Sequence, residues 1–309
     1  MNNLFWNSKK TQSLKDKVIV VTGGNSGLGF EDVKYYALRG ASVVLACRNI
    51  EKGEKAKVLI TNDDDGIKID VMQLDLADMN SIQKFAESFK MKYSKLNILM
   101  NNAGIMVVPY AKTKDGFESQ FGVNHLGHFS LTGLLFDHLK NTPASRIITI
   151  TSMAHVAGKM DFNNLMYENG DYSPFGAYAR SKLANLLFTY EIQRKIERHN
   201  LDIMALVAHP GAARTGLFRH MKKTFFTYLF SPFTYLFSQS AYRGALTGIR
   251  AALDKRAQGG TFYGPLFYLI GPPIKTNSNH LSHNEEVARK LWDISEKLTG
   301  VVYNLNQNN

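Results

Sequence analysis

From Lys17 onward the chain alternates short, unbroken apolar runs with longer stretches in which apolar residues recur at helical spacing. "KVIVVT" (17–22), "ASVVLAC" (41–47), 67–73, 97–101, 145–151 and 202–208 have the length and character of strands covered on both faces. Between them, 27–40, 49–61, 78–93, 118–140 and 176–198 read as amphipathic helices. This alternation predicts an α/β fold: a doubly wound parallel sheet with helices on both faces, joined by right-handed crossovers. Farther on, 259–273 reads as a last strand and an apolar turn, and 283–300 as an amphipathic closing helix. No Pro/Gly-rich linker, low-complexity tract or long repeat divides the chain, so residues 1–309 are expected to form a single domain.

Composition narrows the function classes. The 44% apolar and 20% charged content suits a folded globular chain. The formal charge of +11 is scattered, without a run of five like charges, so no nucleic-acid partner is expected. A diffuse basic excess fits anionic substrates or lipid headgroups better. With one cysteine, Cys47, the chain can form no internal disulfide, which fits a cytoplasmic, reducing setting. The stretch "MNNLFWNSKKTQSLKDK" lacks the apolar core of a signal peptide, and no run reaches the ~20 apolar residues of a membrane span. The hexamer Phe-Thr-Tyr-Leu-Phe-Ser, doubled at 226–231 and 233–238 around Pro232, is likewise too short and too broken to span.

"TGGNSGLG" (22–29) lies between the first strand and first helix. Gly23, Gly27 and Gly29 allow a tight turn in which backbone N–H groups approach a pyrophosphate at the helix N-terminus. At the end of the second strand, where an acid would hold the 2′-hydroxyl of NAD, the chain has Cys47-Arg48. The missing acid and the cation both favour NADP, with NAD as the alternative cofactor.

"YARSK" (178–182) places Tyr178 and Lys182 on one helical face. Tyrosine, with a reference pKa of ~10, is a poor acid/base at neutrality, and a neighbouring ammonium would favour its phenolate and lower that value. Taken with the glycine loop, "NNAG" (101–104) and "TSMAH" (151–155), this pair makes the chain resemble the short-chain dehydrogenase/reductase family from about Lys17 to Gly211. "LACRNIEKGE", "FGVNHLGHF", "YARSKLANLLFTYE" and "HPGAART" are similar to its retinol-dehydrogenase-like and protochlorophyllide-reductase-like branch.

The resemblance implies a Rossmann-type fold and a catalytic tetrad. Tyr178 would protonate the carbonyl oxygen, Lys182 would tune Tyr178 and hold the nicotinamide ribose, Ser152 would orient the carbonyl, and Asn124 would support a water-linked proton path to Lys182. It places Gly23, Asn25, Ser26, Gly27, Leu28, Gly29, Arg48, Asp75, Leu76, Asn102, Ala103, Gly104, Pro210, Gly211 and Thr215 around the dinucleotide, together with Tyr178 and Lys182. Thr151-Ser152 stands where the family often has Ser-Ser, which keeps the needed hydroxyl; the long 153–177 segment matches a loop of the retinol-dehydrogenase-like branch. Protochlorophyllide reduction is disfavoured, because that branch uses cysteines at its pigment site and Cys47 lies on the cofactor side.

In this family the segment after "HPG" forms a flap over the substrate, here about 215–243, and the doubled hexamer lies inside it. Its aromatics would roof a pocket for a lipophilic aldehyde, ketone or alcohol of retinoid, steroid or lipid type. With "RHMKK" (219–223) beside them, the segment is read first as a substrate lid, second as a lid that also makes peripheral membrane contact through 219–238, and otherwise as a core helix or a homo-oligomer interface. The function expected is therefore an NADP-dependent oxidoreductase, against which stands a catalytically idle, NADP-sensing binding protein on the same fold. No metal site is expected: His125 and His128 read as a surface or packed pair, and "NDDDG" (62–66) as a solvated turn. His155 reads as a substrate contact or a structural residue, and Cys47 as a small buried one.

Overall fold

Every residue of the first strand, β1 (Val18–Thr22), is buried, because successive side chains point to opposite faces and both faces are covered. The computed structural model describes residues 6–62, 64–213 and 238–306. Its strands β2 (Ser42–Cys47), β3 (Ile69–Gln73), β4 (Ile98–Asn101), β5 (Ser145–Ile150), β6 (Ile203–Ala208), β7 (Phe262–Pro265) and β8 (Pro273–Thr276) join β1 in one sheet of order β3-β2-β1-β4-β5-β6-β7-β8. All neighbours are parallel except β8, which pairs antiparallel with β7. The pattern thus predicted the α/β sheet but not β8. Four residues beginning at Pro273 make a short edge strand that shows no periodicity of its own.

The helices are α1 (Gly27–Ala37), α2 (Ile50–Thr61), α3 (Met79–Lys92), α4 (Gly127–Leu134), α5 (Phe136–Lys140), α6 (Pro174–Arg198), α7 (Ala241–Leu253) and α8 (Glu285–Thr299). Ile19, Val21, Val43 and Leu45 face the layer containing Val33, Tyr36 and Ile249. Val18, Val20, Val44 and Leu99 face the opposite layer with Phe85, Phe89, Phe129 and Trp292. The closing helix α8 begins at Asn284, whose side chain accepts the Val287 N–H, and stops at Gly300 in the left-handed conformation.

Where the pattern predicts one helix over 118–140, the chain makes a turn (Ser119–Phe121), a π-helical turn (Gly122–Leu126), α4 and α5. Single π-turns often mark functional sites, and this one carries Asn124. The strand order reverses between β1 and β4, so a crevice opens at their carboxyl ends.

Candidate active site

The residues expected around a dinucleotide come from the carboxyl ends of six strands, β1 to β6. After β1, Gly23 and Gly27 have φ of +67° and +58°, conformations that cost glycine nothing. A Cβ on Gly29 would lie 2.4 Å from the Gly23 carbonyl oxygen and 2.6 Å from Asn102 Nδ2, so the loop can close only around glycine. Asn25 is half-buried and Ser26 exposed. Ser26 stands at the start of α1 without a side-chain cap hydrogen bond, as a helix N-terminus suited to an anion requires. Leu28 is a core residue, packed beneath Gly244 of α7, and offers the site only its backbone.

Thr22 joins this loop to β4. Its Oγ1 accepts from the backbone N–H groups of Asn102 and Ala103, each at 2.9 Å, and its carbonyl accepts from Asn102 Nδ2 at 2.8 Å. Arg48 projects from the end of β2 into a cavity of about 520 Å³ that Gln73, Asp75, Lys84 and Lys114 also line. Lys114 is paired with Asp78 at 2.5 Å. Asp75 turns back to accept the Ala77 N–H, and Leu76 is buried under α4. A Cβ on Gly104 would meet Asn124 Oδ1 at 3.0 Å and Lys182 Nζ at 3.5 Å, so Gly104 lets the backbone approach both. Pro210 accepts from Gln239 Nε2 at 2.7 Å, and Gly211 adopts φ +65° against the Leu269 carbonyl.

Helix α6, capped by the Ser173 hydroxyl and entered at Pro174, carries Tyr178 and Lys182. Both are buried, at 6% and 4% exposure. Lys182 Nζ donates to the Ile150 carbonyl at 3.1 Å and lies 5.7 Å from the centre of the Tyr178 ring. Burial brings the Lys182 pKa down to about 8. Burial also pushes the Tyr178 phenol up, opposed by hydrogen bonding with Ser152. The phenol is therefore raised where the lysine was expected to lower it, and the hydrogen bond with Ser152 works in the direction expected of the lysine. Ser152 follows β5 directly and heads a short 3-10 turn, Met153–Ala157, with its Oγ accepting the Ala154 N–H at 3.2 Å.

Asn124 is fully buried and acts as a clamp. Its Oδ1 accepts the Ile105 N–H at 2.8 Å, and its Nδ2 donates to the Ile105 carbonyl and to Ser181 Oγ, both at 2.9 Å. The side chain thus joins the segment after β4 to the helix that bears the Tyr/Lys pair, rather than reaching Lys182 itself.

The glycine cradle, the uncapped helix start and the cation-lined cavity form a donor set that fits a dinucleotide phosphate group. The profile of the short chain dehydrogenase family matches residues 17–224. The chain belongs to that family. Human retinol dehydrogenase 12 is 40% identical over 290 residues, covering 93% of this chain and 88% of its own length. Human polyprenol dehydrogenase is 36% identical over 298 residues, covering 93% and 86%. Among solved structures, an uncharacterized protein from Mycobacterium Paratuberculosis superposes with a TM-score of 0.81 at 37% identity, covering 96% of this chain and 98% of that one.

This short chain dehydrogenase is thus an oxidoreductase of alcohol and carbonyl groups, in the retinol-dehydrogenase-like branch. Thr215 and most of the expected 215–243 lid lie outside the described residues. The chain leaves them at Ala213 and re-enters at Ser238, where Gln239 bridges Ala213 and holds Pro210. Residues 241–243 form the first turn of α7.

Four histidines near the site are buried. His125 and His128 are both buried; His125 Nε2 meets Ser295 Oγ at 2.9 Å. His155 turns onto the backbone, donating from Nδ1 to the Ser152 carbonyl at 2.7 Å, while its Nε2 accepts the Asn279 N–H at 3.4 Å. The His209 ring lies 5.2 Å from that of Phe262, tilted by 31°. Sequence reading missed Thr22, Ser181 and Asn279 as supports of the site. Thr22 carried a signal, as the hydroxyl residue ending the strand before the glycine loop; Asn279 carried none, since it arrives from the far end of the chain.

Proposed function

We propose that this dehydrogenase uses NADP(H) to interconvert a lipophilic aldehyde or ketone with its alcohol, of retinoid, steroid or other lipid type. The observation that carries the reading is the setting of the reactive pair. Tyr178 and Lys182 are buried, yet large apolar residues close by in the chain are exposed, Val156 at 56% after Ser152 and Phe175 at 52% before Tyr178, as is Phe267 at 69%, whose hairpin abuts Gly211. Exposed apolar side chains beside a dry polar pair suit a greasy substrate with one polar atom. The relatives' names, retinol and polyprenol dehydrogenase, describe long apolar alcohols.

NADP is favoured over NAD because Arg48, and no acid, ends β2 beside the cavity shared with Lys84. The glycine loop, Arg48, Asp75, the Asn102–Gly104 backbone and Lys182 would hold the dinucleotide, which when bound supplies or accepts the hydride. Tyr178 would donate the proton to the carbonyl oxygen in reduction and take it back in oxidation, Ser152 would orient that oxygen, and the Lys182 ammonium would stabilise the phenolate. No observation favours an idle, cofactor-sensing role. No helix among the described residues is long and apolar enough to cross a membrane. Peripheral membrane contact through 219–238 rests on the sequence of that segment.

The test follows NADPH absorbance with purified protein against carbonyls graded from short aldehydes to retinal and steroid ketones. NADH and a Tyr178→Phe variant are run in parallel. Turnover that rises with apolar size, prefers NADPH and vanishes in the variant is expected. Equal turnover of short and long substrates would remove the lipophilic reading, and equal use of NADH the NADP one.

A further inference from the structure

His128, at the second position of α4, is buried and touches neither the Tyr/Lys pair nor the glycine loop, yet it joins the two parts of the site. Its Nδ1 lies 3.0 Å from the backbone carbonyl of Asn124, an oxygen that can only accept, so the ring proton sits on Nδ1. Burial holds the ring neutral by bringing its pKa down to about 4. Nε2 is then an acceptor, 2.9 Å from Thr22 Oγ1, and the threonine hydroxyl, which also lies 3.3 Å from the Met100 carbonyl, supplies its hydrogen to the nearer ring nitrogen. Each partner has its own connection. Thr22 receives the Asn102 and Ala103 N–H groups beside the glycine loop, and Asn124 clamps Ile105 and Ser181 beside Lys182. Ser181 in turn donates to the Tyr178 carbonyl at 2.7 Å.

We propose, on the oxidoreductase reading above, that His128 is a positioning residue for the reaction: a neutral imidazole tying the end of the cofactor-bearing strand to the π-turn that carries Asn124. The ring follows directly on the π-turn Gly122–Leu126 and gives a fixed, directional link from it to the end of β1. Without it, the buried Thr22 hydroxyl and Asn124 carbonyl lose a partner, and the register between the dinucleotide loop and the helix bearing Tyr178 and Lys182 is no longer set. A misplacement of this kind appears in kcat more than in substrate KM, because the substrate touches none of these groups.

The experiment is a double-mutant cycle of His128→Phe, which keeps the ring volume without its hydrogen bonds, and Thr22→Val. Both singles and the double are measured for kcat, substrate KM, NADPH dissociation constant by fluorescence and thermal midpoint. His128→Phe is expected to lower kcat by about tenfold to a hundredfold and to weaken NADPH binding severalfold, with substrate KM little changed. In the Thr22→Val background it is expected to add less than about twofold, because the shared bond is already gone. Losses that multiply in the double variant, or a lowered thermal midpoint with kcat and NADPH binding intact, would overturn the link and leave His128 a packing residue. Should His128→Phe not fold, nitrogen NMR of the wild-type ring decides: an Nδ1-protonated tautomer whose Nε2 resonance shifts in Thr22→Val, as its hydrogen bond is lost, supports the proposal, and an unaffected ring overturns it. If wild-type protein reduces no carbonyl, the oxidoreductase reading falls separately, and the cycle is still decided by NADPH binding.

Discussion

The Thr151 hydroxyl donates to the backbone carbonyl of Lys182 at 2.8 Å, and both residues are buried. That bond fastens the end of β5 to the middle of α6, and so sets Ser152 opposite Tyr178. Threonine at this position therefore does more than stand beside Ser152. Thr151→Val should cost about 1 kcal/mol of stability and lower kcat by about tenfold, while Thr151→Ser restores both. Denaturant titration and steady-state kinetics check this; equal kinetics for the valine and serine variants would remove the fastening role.

Lys182 is buried as an ammonium whose pKa has come down to about 8. Between that value and its unfolded one of ~10.4, the unfolded chain binds the extra proton, so stability contributed by this group rises with pH across the window. Below pH 8 the full burial penalty applies, of about 3 kcal/mol. Lys182→Met should therefore melt higher than wild type at pH 7, with the difference shrinking toward pH 10, while turnover is abolished. A variant that melts lower at pH 7 would mean that the bond to the Ile150 carbonyl outweighs desolvation.

Four buried histidines push in the acid direction, three of them strongly. Burial brings His125 down to about 3 and His128 and His209 to about 4. Each unfolded imidazole titrates near ~6.5, so the unfolded state binds more protons below that pH, and stability falls as pH drops toward 4. Together they add a slope approaching ~4 kcal/mol per pH unit. Urea midpoints from pH 7 to 5 should fall steeply, and His209→Phe should remove about a third of this histidine-dependent slope. An unchanged slope would show that His209 is not titrating on unfolding.

Arg48 is exposed at the end of β2, on the wall of the cavity it shares with Gln73 and Lys84. Arg48→Glu should raise the NADPH dissociation constant by about tenfold to a hundredfold and improve NADH, since a carboxylate repels a 2′-phosphate and accepts a 2′-hydroxyl. Fluorescence titration with both cofactors measures the ratio. An unchanged ratio would move the discrimination to Lys84 or Lys114.

Gly29→Ala places a methyl 2.4 Å from the Gly23 carbonyl. Backbone cannot yield as a flexible side chain can, so the loop must open. NADPH binding should fall by more than about tenfold, with a loss of stability of about 1–3 kcal/mol. Binding at wild-type strength would show that the cradle is wider than its geometry implies.

The sheet, its helices and the family were legible in the chain because they rest on short-range chemistry. Apolar runs such as Val18–Val21 must be covered, glycines mark a loop that side chains cannot enter, and Tyr178 and Lys182 lie four apart on one helix. Three things were decided only by tertiary contact. The break of the 118–134 helix into a π-turn depends on Asn124 finding Ile105 and Ser181, which are distant in sequence. Whether Tyr178 is raised or lowered depends on how deeply α6 is buried, and burial outweighed the hydrogen bond with Ser152. Antiparallel β8 and Asn279, which reach the site from the far end of the chain, carry no local pattern at all. Periodicity records what a segment hides from water; it does not record which partner its polar groups meet once hidden, and in this protein those meetings arrange the site.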